Sequence, residues 1–243
     1  MTALKEAFAA VLERKEIAAA QFAGNLVLLA LLYWWFGLSV ATIPKVLLVA
    51  LTAAALLAGS AWLHGAGLAA FAGLDAGEAF TRALSRLLRL ALITVVLVLA
   101  LLGWDYALGE KSSLDNWLAS LLTRLSQKPV SPDSVAWIFP WKLRAWFVLL
   151  GLALMPVAAQ TVGAIESAKH LVRQPVWWTL GILLAFTGLY LPYTLIHWVP
   201  FQGPLALELL SAALRFTLAY ALAVLSWLLM AALAARLGRA AGS

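Results

Sequence analysis

The stretch from Trp177 to Trp198 constrains this chain more than any other. It reads WWTLGILLAFTGLYLPYTLIHW, with no Lys, Arg, Asp or Glu in it. At 1.5 Å per residue it makes a helix about 31 Å long, roughly the thickness of a bilayer's hydrocarbon core. Indole rings favour the headgroup level, where an apolar ring and a polar N–H are both accommodated. Trp177 and Trp178 therefore predict one interface and Trp198 the other. Composition agrees. Of 243 residues, 64% are apolar and 12% charged, against about 25% charged in a soluble domain. Further segments resemble this one, which predicts an all-α polytopic transmembrane bundle, one integral membrane domain over residues 1–243.

The segment 1–21 is an amphipathic lead-in. Leu4, Phe8, Val11 and Leu12 keep helical spacing, with Lys5, Glu6, Glu13 and Arg14 elsewhere. Span 1 is predicted over about 22–38, ending in Tyr33-Trp34-Trp35-Phe36. Ser39-Val40-Ala41 has the form of a signal-peptide cleavage site, but the half-acidic n-region and the bulky rings favour a retained span. Pro44 opens span 2, read to about His64, and Gly65, Gly67 and Gly73 are expected to break the helix beyond it. Asp75-Ala76-Gly77-Glu78 has the form of a capping box. The helix it opens carries Arg82, Arg86 and Arg89 on one face and leads into span 3, about 88–104, closed by Trp104.

The only long connection is 105–145. Leu114, Trp117, Leu118, Leu121, Leu122 and Leu125 predict an amphipathic helix within it over 113–126, capped by Ser112 or Ser113 and ended by Pro129 and Pro132. Trp137, Phe139, Trp141 and Trp146 mark re-entry. Span 4 is read over about 144–165, with Pro156 removing the donor for the Leu152 carbonyl. Pro175 opens span 5, and Pro192 should bend it at Gly188. Residues 199–204 form a tight turn, and span 6 ends near Ala235.

An internal repeat runs through this order. Lys5-Glu6-Ala7-Phe8 and Gly77-Glu78-Ala79-Phe80 match at an offset of 72, after which Leu12 and Arg14 align with Leu84 and Arg86. Each precedes a pair of spans, so six spans group into three two-helix hairpins, although 163–173 matches poorly. Basic lead-ins before paired spans make the pattern similar to that of the bacterial membrane domain attached to glycerophosphodiester phosphodiesterases. The likeness is one of pattern and carries no site residue. In alternating segments, ten Lys and Arg fall on the side of the termini and six on the other, including Lys142 and Arg144. Both termini are therefore expected in the cytoplasm, as in a bacterial inner-membrane protein.

The absence of Cys excludes disulfides, thiolate metal sites and Cys nucleophiles. The net charge of +6 is read as loop charge facing anionic headgroups near Arg82, Arg86 and Arg89. No basic cluster interleaved with aromatics points to nucleic acid. His64 at the end of span 2, His197 at the far end of span 5 and His170 in a loop cannot clamp one haem, so no cofactor and no metal are expected. Arg215 and Glu208 are the charges nearest to mid-membrane. If Arg236 marks the inner edge of span 6, about 20 residues back is Phe216, which places Arg215 at the outer interface. Gln160 is an uncharged group able to hydrogen-bond between helices. Arg215, Glu208, Gln160 and His197 are the candidate contacts for a ligand or partner.

No nucleophile–base pair, paired acids or metal ligands share one depth, so no catalytic residue is assigned. The expectation is a non-enzymatic multi-pass protein, a subunit or assembly partner of a membrane complex or a lipid-handling protein. The alternative is a small-molecule transporter using kinked spans 4 and 5.

Overall fold

The computed structural model describes residues 2–38, 42–109, 111–135, 138–198, 200 and 203–239. The 39–41 motif, Trp137 and residues 199, 201 and 202 of the 199–204 turn lie outside them, as do the side chains of Trp104, Leu114, Phe139, Trp141, Lys142 and Arg144. All described secondary structure is helical. In chain order the described helices group as three units, each a short helix followed by longer ones. The first unit is α1 (Thr2–Glu13), α2 (Lys15–Phe36) and α3 (Ile43–Phe71). The second is α4 (Ala76–Ser85), α5 (Leu87–Gly109) and, after α6 (Lys111–Ser126) and α7 (Pro132–Val135), α8 (Ile138–Thr161). The third is α9 (Ala168–Val172), then α10 (Pro175–Ala185), a π-helical turn (Phe186–Tyr190) and α11 (Leu191–His197), and last α12 (Leu205–Arg239).

The repeat is expressed in burial. Ala7 and Ala79 occupy one repeat position and are 1% and 0% exposed. Val11 and Ala83 are buried, while Leu12 and Leu84 are 56% and 58% exposed. The helix predicted through residue 21 breaks at Arg14, and the second unit breaks at the aligned Arg86, where α4 and α5 meet at 72°. The third unit shares its entry corner with the second. Gly73 (φ 112°) follows α3 and Gly163 (φ 77°) follows α8, a backbone region that glycine enters without a Cβ penalty. Asp75 then accepts from the Glu78 N–H at 2.7 Å, and Ser167 from the His170 N–H at 3.4 Å. The third lead-in is a single turn, so little amphipathic sequence remained to align.

Gly163 also corrects span 4, which stops at Thr161 rather than 165. Gly65 and Gly67 do not break α3, which continues to Phe71. They are contact surfaces. A Cβ on Gly65 would meet Leu90 at 2.5 Å, and one on Gly67 would meet Gln21 Nε2 at 2.9 Å. The amphipathic α6 is described over Lys111–Ser126, and the side chains of Ser112 and Ser113, the expected caps, lie outside the described ones. It stops before Gln127 (φ 54°), ahead of Pro129. It packs on α7 and the end of α5, burying Ala119 and leaving Trp117 and Leu125 exposed.

Four described helices are long and apolar enough to cross a bilayer: 15–36, 43–71, 175–197 taken through the π turn, and 205–239. The bent pair α4–α5 makes a fifth. For the sixth expected span, the described side chains of α8 begin at Ala145, and from there to Thr161 the helix is apolar over 17 residues. The long helices carry exposed leucines all round, including Leu26, Leu51, Leu99 and Leu214. Apolar surface on this scale is compatible with a bilayer rather than water.

The core sits at one end, where α12 meets α1, α3 and α9. Its last turns are rich in small residues, and Ala231, Ala232, Ala234 and Ala235 are all buried. Basic side chains tie this end together. Arg236 pairs with Glu6 at 2.6 Å. Arg14 donates to the Leu74 carbonyl at 2.6 Å and Arg239 to that of Phe71 at 3.2 Å. The lead-in helix α1 thus docks on the bundle, with Phe8 and Leu12 facing outward. At the other end of α12, Leu205 and Leu209 are exposed.

Candidate functional site

The site grows out of two prolines. Pro156 has no N–H for the Leu152 carbonyl four residues earlier, and that carbonyl takes its hydrogen bond from Trp177 Nε1 at 3.1 Å. Trp177 is 0% exposed, so it is not the headgroup anchor expected from its position in the sequence. It belongs to the core. Trp178 beside it donates to the Val172 carbonyl at 2.7 Å. Gly181 completes the lock between α8 and α10, since a Cβ there would meet Leu152 Cδ2 at 2.7 Å. Pro192 acts differently. The bend expected at Gly188 is taken up as the π turn 186–190, whose wider register accommodates the missing bond. That turn lies against α12. A Cβ on Gly188 would meet Ser226 Cβ at 2.6 Å, and the Thr187 and Ser226 hydroxyls are 3.0 Å apart.

A cleft of about 460 Å³ opens between α3, α5, α8, the π turn and α12. Its walls are apolar, with Phe147, Met155 and Leu189 prominent. Two further apolar clefts, about 480 and 620 Å³, flank α8 at Phe147 and Leu149. Gly151 lines the cleft between α3, α5 and α8, and a Cβ there would meet nothing within 4 Å. The polar groups are Ser60, His64, Thr94 and the Trp227 ring. None of the described lining residues is charged.

His64 is the residue that the sequence reading put at the end of span 2. Because α3 continues for seven residues beyond it, about 10 Å, His64 is not at a helix end but faces the cleft. Its Nδ1 lies 2.8 Å from the Ser60 carbonyl, which can only accept, so Nδ1 carries the proton and Nε2 is left as an acceptor. The Trp227 ring holds the imidazole edge-to-face at 4.6 Å between centroids. Trp227 Nε1 is buried and has no partner among the described residues. Close to it, fully buried Gln21 donates to the Leu63 carbonyl at 2.5 Å. The i, i+4 spacing of Ser60 and His64 was the available signal, since it puts both on one face of a helix.

The four expected contacts lie elsewhere. Three share the turn between α11 and α12. Arg215 donates to the Ile196 carbonyl at 3.2 Å and to that of Trp198, completing carbonyls that the end of α11 leaves open. Glu208 accepts from the Gly203 N–H at 3.0 Å. His197 turns Nδ1 to the Tyr193 carbonyl at 2.8 Å and lies against that ring. Gln160 sits at the opposite end of the bundle, where it donates to the Glu166 carbonyl at 3.0 Å and accepts from the Ala168 N–H at 3.3 Å. It shapes the Gly163 corner. Arg82 and Arg89 are exposed beside the α4–α5 corner. Among the described residues, no three of His, Asp or Glu converge as metal ligands would. No family model matches the chain, and neither does any curated protein or solved structure.

Proposed function

We propose that this is a non-enzymatic, lipid-handling protein of the bacterial inner membrane that takes an apolar chain into the cleft beside α8. The uncharged cleft of about 460 Å³ carries this reading, since it falls in the volume range of ligand sites lined by apolar side chains with a few polar groups. In the proposed topology the chain crosses six times with both ends in the cytoplasm. In support, the whole of α8 is 24 residues, about 36 Å, enough to span. Arg82, Arg86 and Arg89 then lie at the cytoplasmic face and contact anionic headgroups. Exposed Trp117 and Leu125 on α6 lie at the outer interface, or against another membrane subunit.

The test is native mass spectrometry of the protein released from mild detergent. Wild type is expected to retain lipid, and Gly151→Leu, whose Cβ enters the cleft with nothing within 4 Å, to lose it. Equal retention by both sinks the reading. Reporter fusions at Ser243 and within 112–133 test the topology, and a periplasmic signal at Ser243 reverses it.

The transporter reading draws support from the π turn, which borders the same cleft through Leu189. Against it, the carbonyl that Pro156 frees is occupied by Trp177 and is not free to coordinate an ion.

A further inference from the structure

We infer that the lipid taken into this cleft has an uncharged head bearing a hydroxyl, which donates its hydrogen bond to Nε2 of His64. The inference rests on the lipid-handling reading and specifies its ligand.

Three observations carry it. First, Nδ1 of His64 is committed to its own helix through the Ser60 carbonyl, with the Ser60 hydroxyl at 3.3 Å. The other ring nitrogen is therefore a lone-pair acceptor, and no described residue donates to it. An acceptor in an apolar wall calls for a donor on the ligand. Second, the ring is fixed by its contact with Trp227 and by the bond to Ser60, so the acceptor is held in place before any ligand arrives. Third, none of the described lining residues is Lys, Arg, Asp or Glu. A phosphate or carboxylate head would enter this space with no cation to meet it, at a desolvation cost that one neutral imidazole does not offset. An imidazolium would likewise find no carboxylate in the lining.

The remaining walls fit the rest of such a molecule. The lining from Phe147 to Ala158 follows α8 for three turns, about 16 Å, and offers only apolar surface to a chain. The Thr94 hydroxyl donates to the Leu90 carbonyl and keeps its lone pairs, so it too accepts rather than donates. Diacylglycerols and polyprenols share the required chemistry, an alcohol on an apolar body.

The experiment uses the full-length protein in mild detergent, with binding read by native mass spectrometry. The probes are dioleoylglycerol, its 3-acetyl derivative, which lacks the hydroxyl donor, dioleoyl phosphatidic acid, and a C55 polyprenol. At least one of the two alcohols is expected to bind about tenfold more tightly than phosphatidic acid, and dioleoylglycerol more tightly than its acetyl derivative if it is the alcohol preferred. Which alcohol binds better identifies the source. His64→Leu should lower binding of that alcohol about tenfold, and His64→Gln, whose amide oxygen restores an acceptor, should recover part of it. Equal binding of the preferred alcohol and phosphatidic acid by wild type overturns the inference without any variant. So does an unchanged affinity in His64→Leu while Gly151→Leu abolishes binding, a result that leaves the lipid-handling reading standing. Failure of wild type to bind any of these probes, together with equal lipid retention by Gly151→Leu and wild type, removes both.

Discussion

Replacing Trp177 with Phe isolates a single hydrogen bond whose partner is known. The Leu152 carbonyl lost its helical donor to Pro156 and depends on the Trp177 indole at 3.1 Å. Leaving a buried carbonyl unpaired costs about 1–3 kcal/mol in water-soluble proteins, and hydrogen bonds within membranes measure about 0.6–1.7 kcal/mol. The smaller ring leaves space around a residue that is 0% exposed, adding about 1–2 kcal/mol of lost packing. Trp177→Phe is therefore expected to destabilise by about 2–3 kcal/mol. The hydrogen-bond share is separated by a second substitution. Pro156→Ala returns an N–H to the helix at the position that serves the Leu152 carbonyl. In that background Trp177→Phe should lose only its packing share, giving a coupling of about 1 kcal/mol. The assay is SDS unfolding in mixed micelles followed by far-UV circular dichroism, for the four proteins of the cycle. Equal losses from Trp177→Phe in both backgrounds would refute the reasoning, because the indole would then be serving only as bulk.

Three further outcomes rest on contacts of the same kind. Gly65→Ala brings a methyl group to 2.5 Å from Leu90 Cδ1 and should cost about 1–3 kcal/mol in the same unfolding assay, whereas Gly151→Ala, with nothing within 4 Å, should be near neutral. Arg215→Gln should lose about 1 kcal/mol or less, since Arg215 serves only carbonyls at the end of α11 and on its own helix; a collapse in folded yield would place it deeper than the turn it now closes. Glu6→Gln should shift stability by less than about 1 kcal/mol, because the Glu6–Arg236 pair is nearly half exposed on both sides; a larger loss would mean that this pair, rather than buried Ala7 and Val11, holds α1 in place.

Sequence alone revealed those features that one helix determines by itself. The Asp75 cap and the proline that strips the Leu152 carbonyl needed no partner to be recognised, and the Arg14–Arg86 alignment falls on the two helix breaks. Features made between helices were hidden. Gly65 and Gly67 read as breakers because glycine weakens a helix in water, yet here they let Leu90 and Gln21 approach a helix that stays intact. Trp177 is as suited to a headgroup belt as to a buried carbonyl, and only α8 distinguishes the two roles. The cleft needs contributions from three units, so none of its walls was visible in any one stretch. His64 reads as a helix end only while span 2 is closed seven residues early.

The docking of α1 on α12 joins the first described helix to the last, and this has a consequence for how the protein is made. Ala7 and Val11 are buried at the end of the bundle that the last turns of α12 help to build. The ribosome must add about 220 residues after Glu13 before Arg236 exists, and at about 5–20 residues per second that takes roughly 11–44 s. Throughout this interval α1 is synthesised but has no final berth. In the proposed topology its apolar stripe would rest meanwhile on the bilayer surface, beside headgroups that suit Lys5 and Arg14. On that topology maturation is a transfer, in which a helix first held by lipid is handed to protein once the last turns of α12 are made. A chain truncated before Arg236 would insert its spans yet keep α1 on the membrane, where a protease that cuts exposed N-terminal helices would distinguish it from the finished protein.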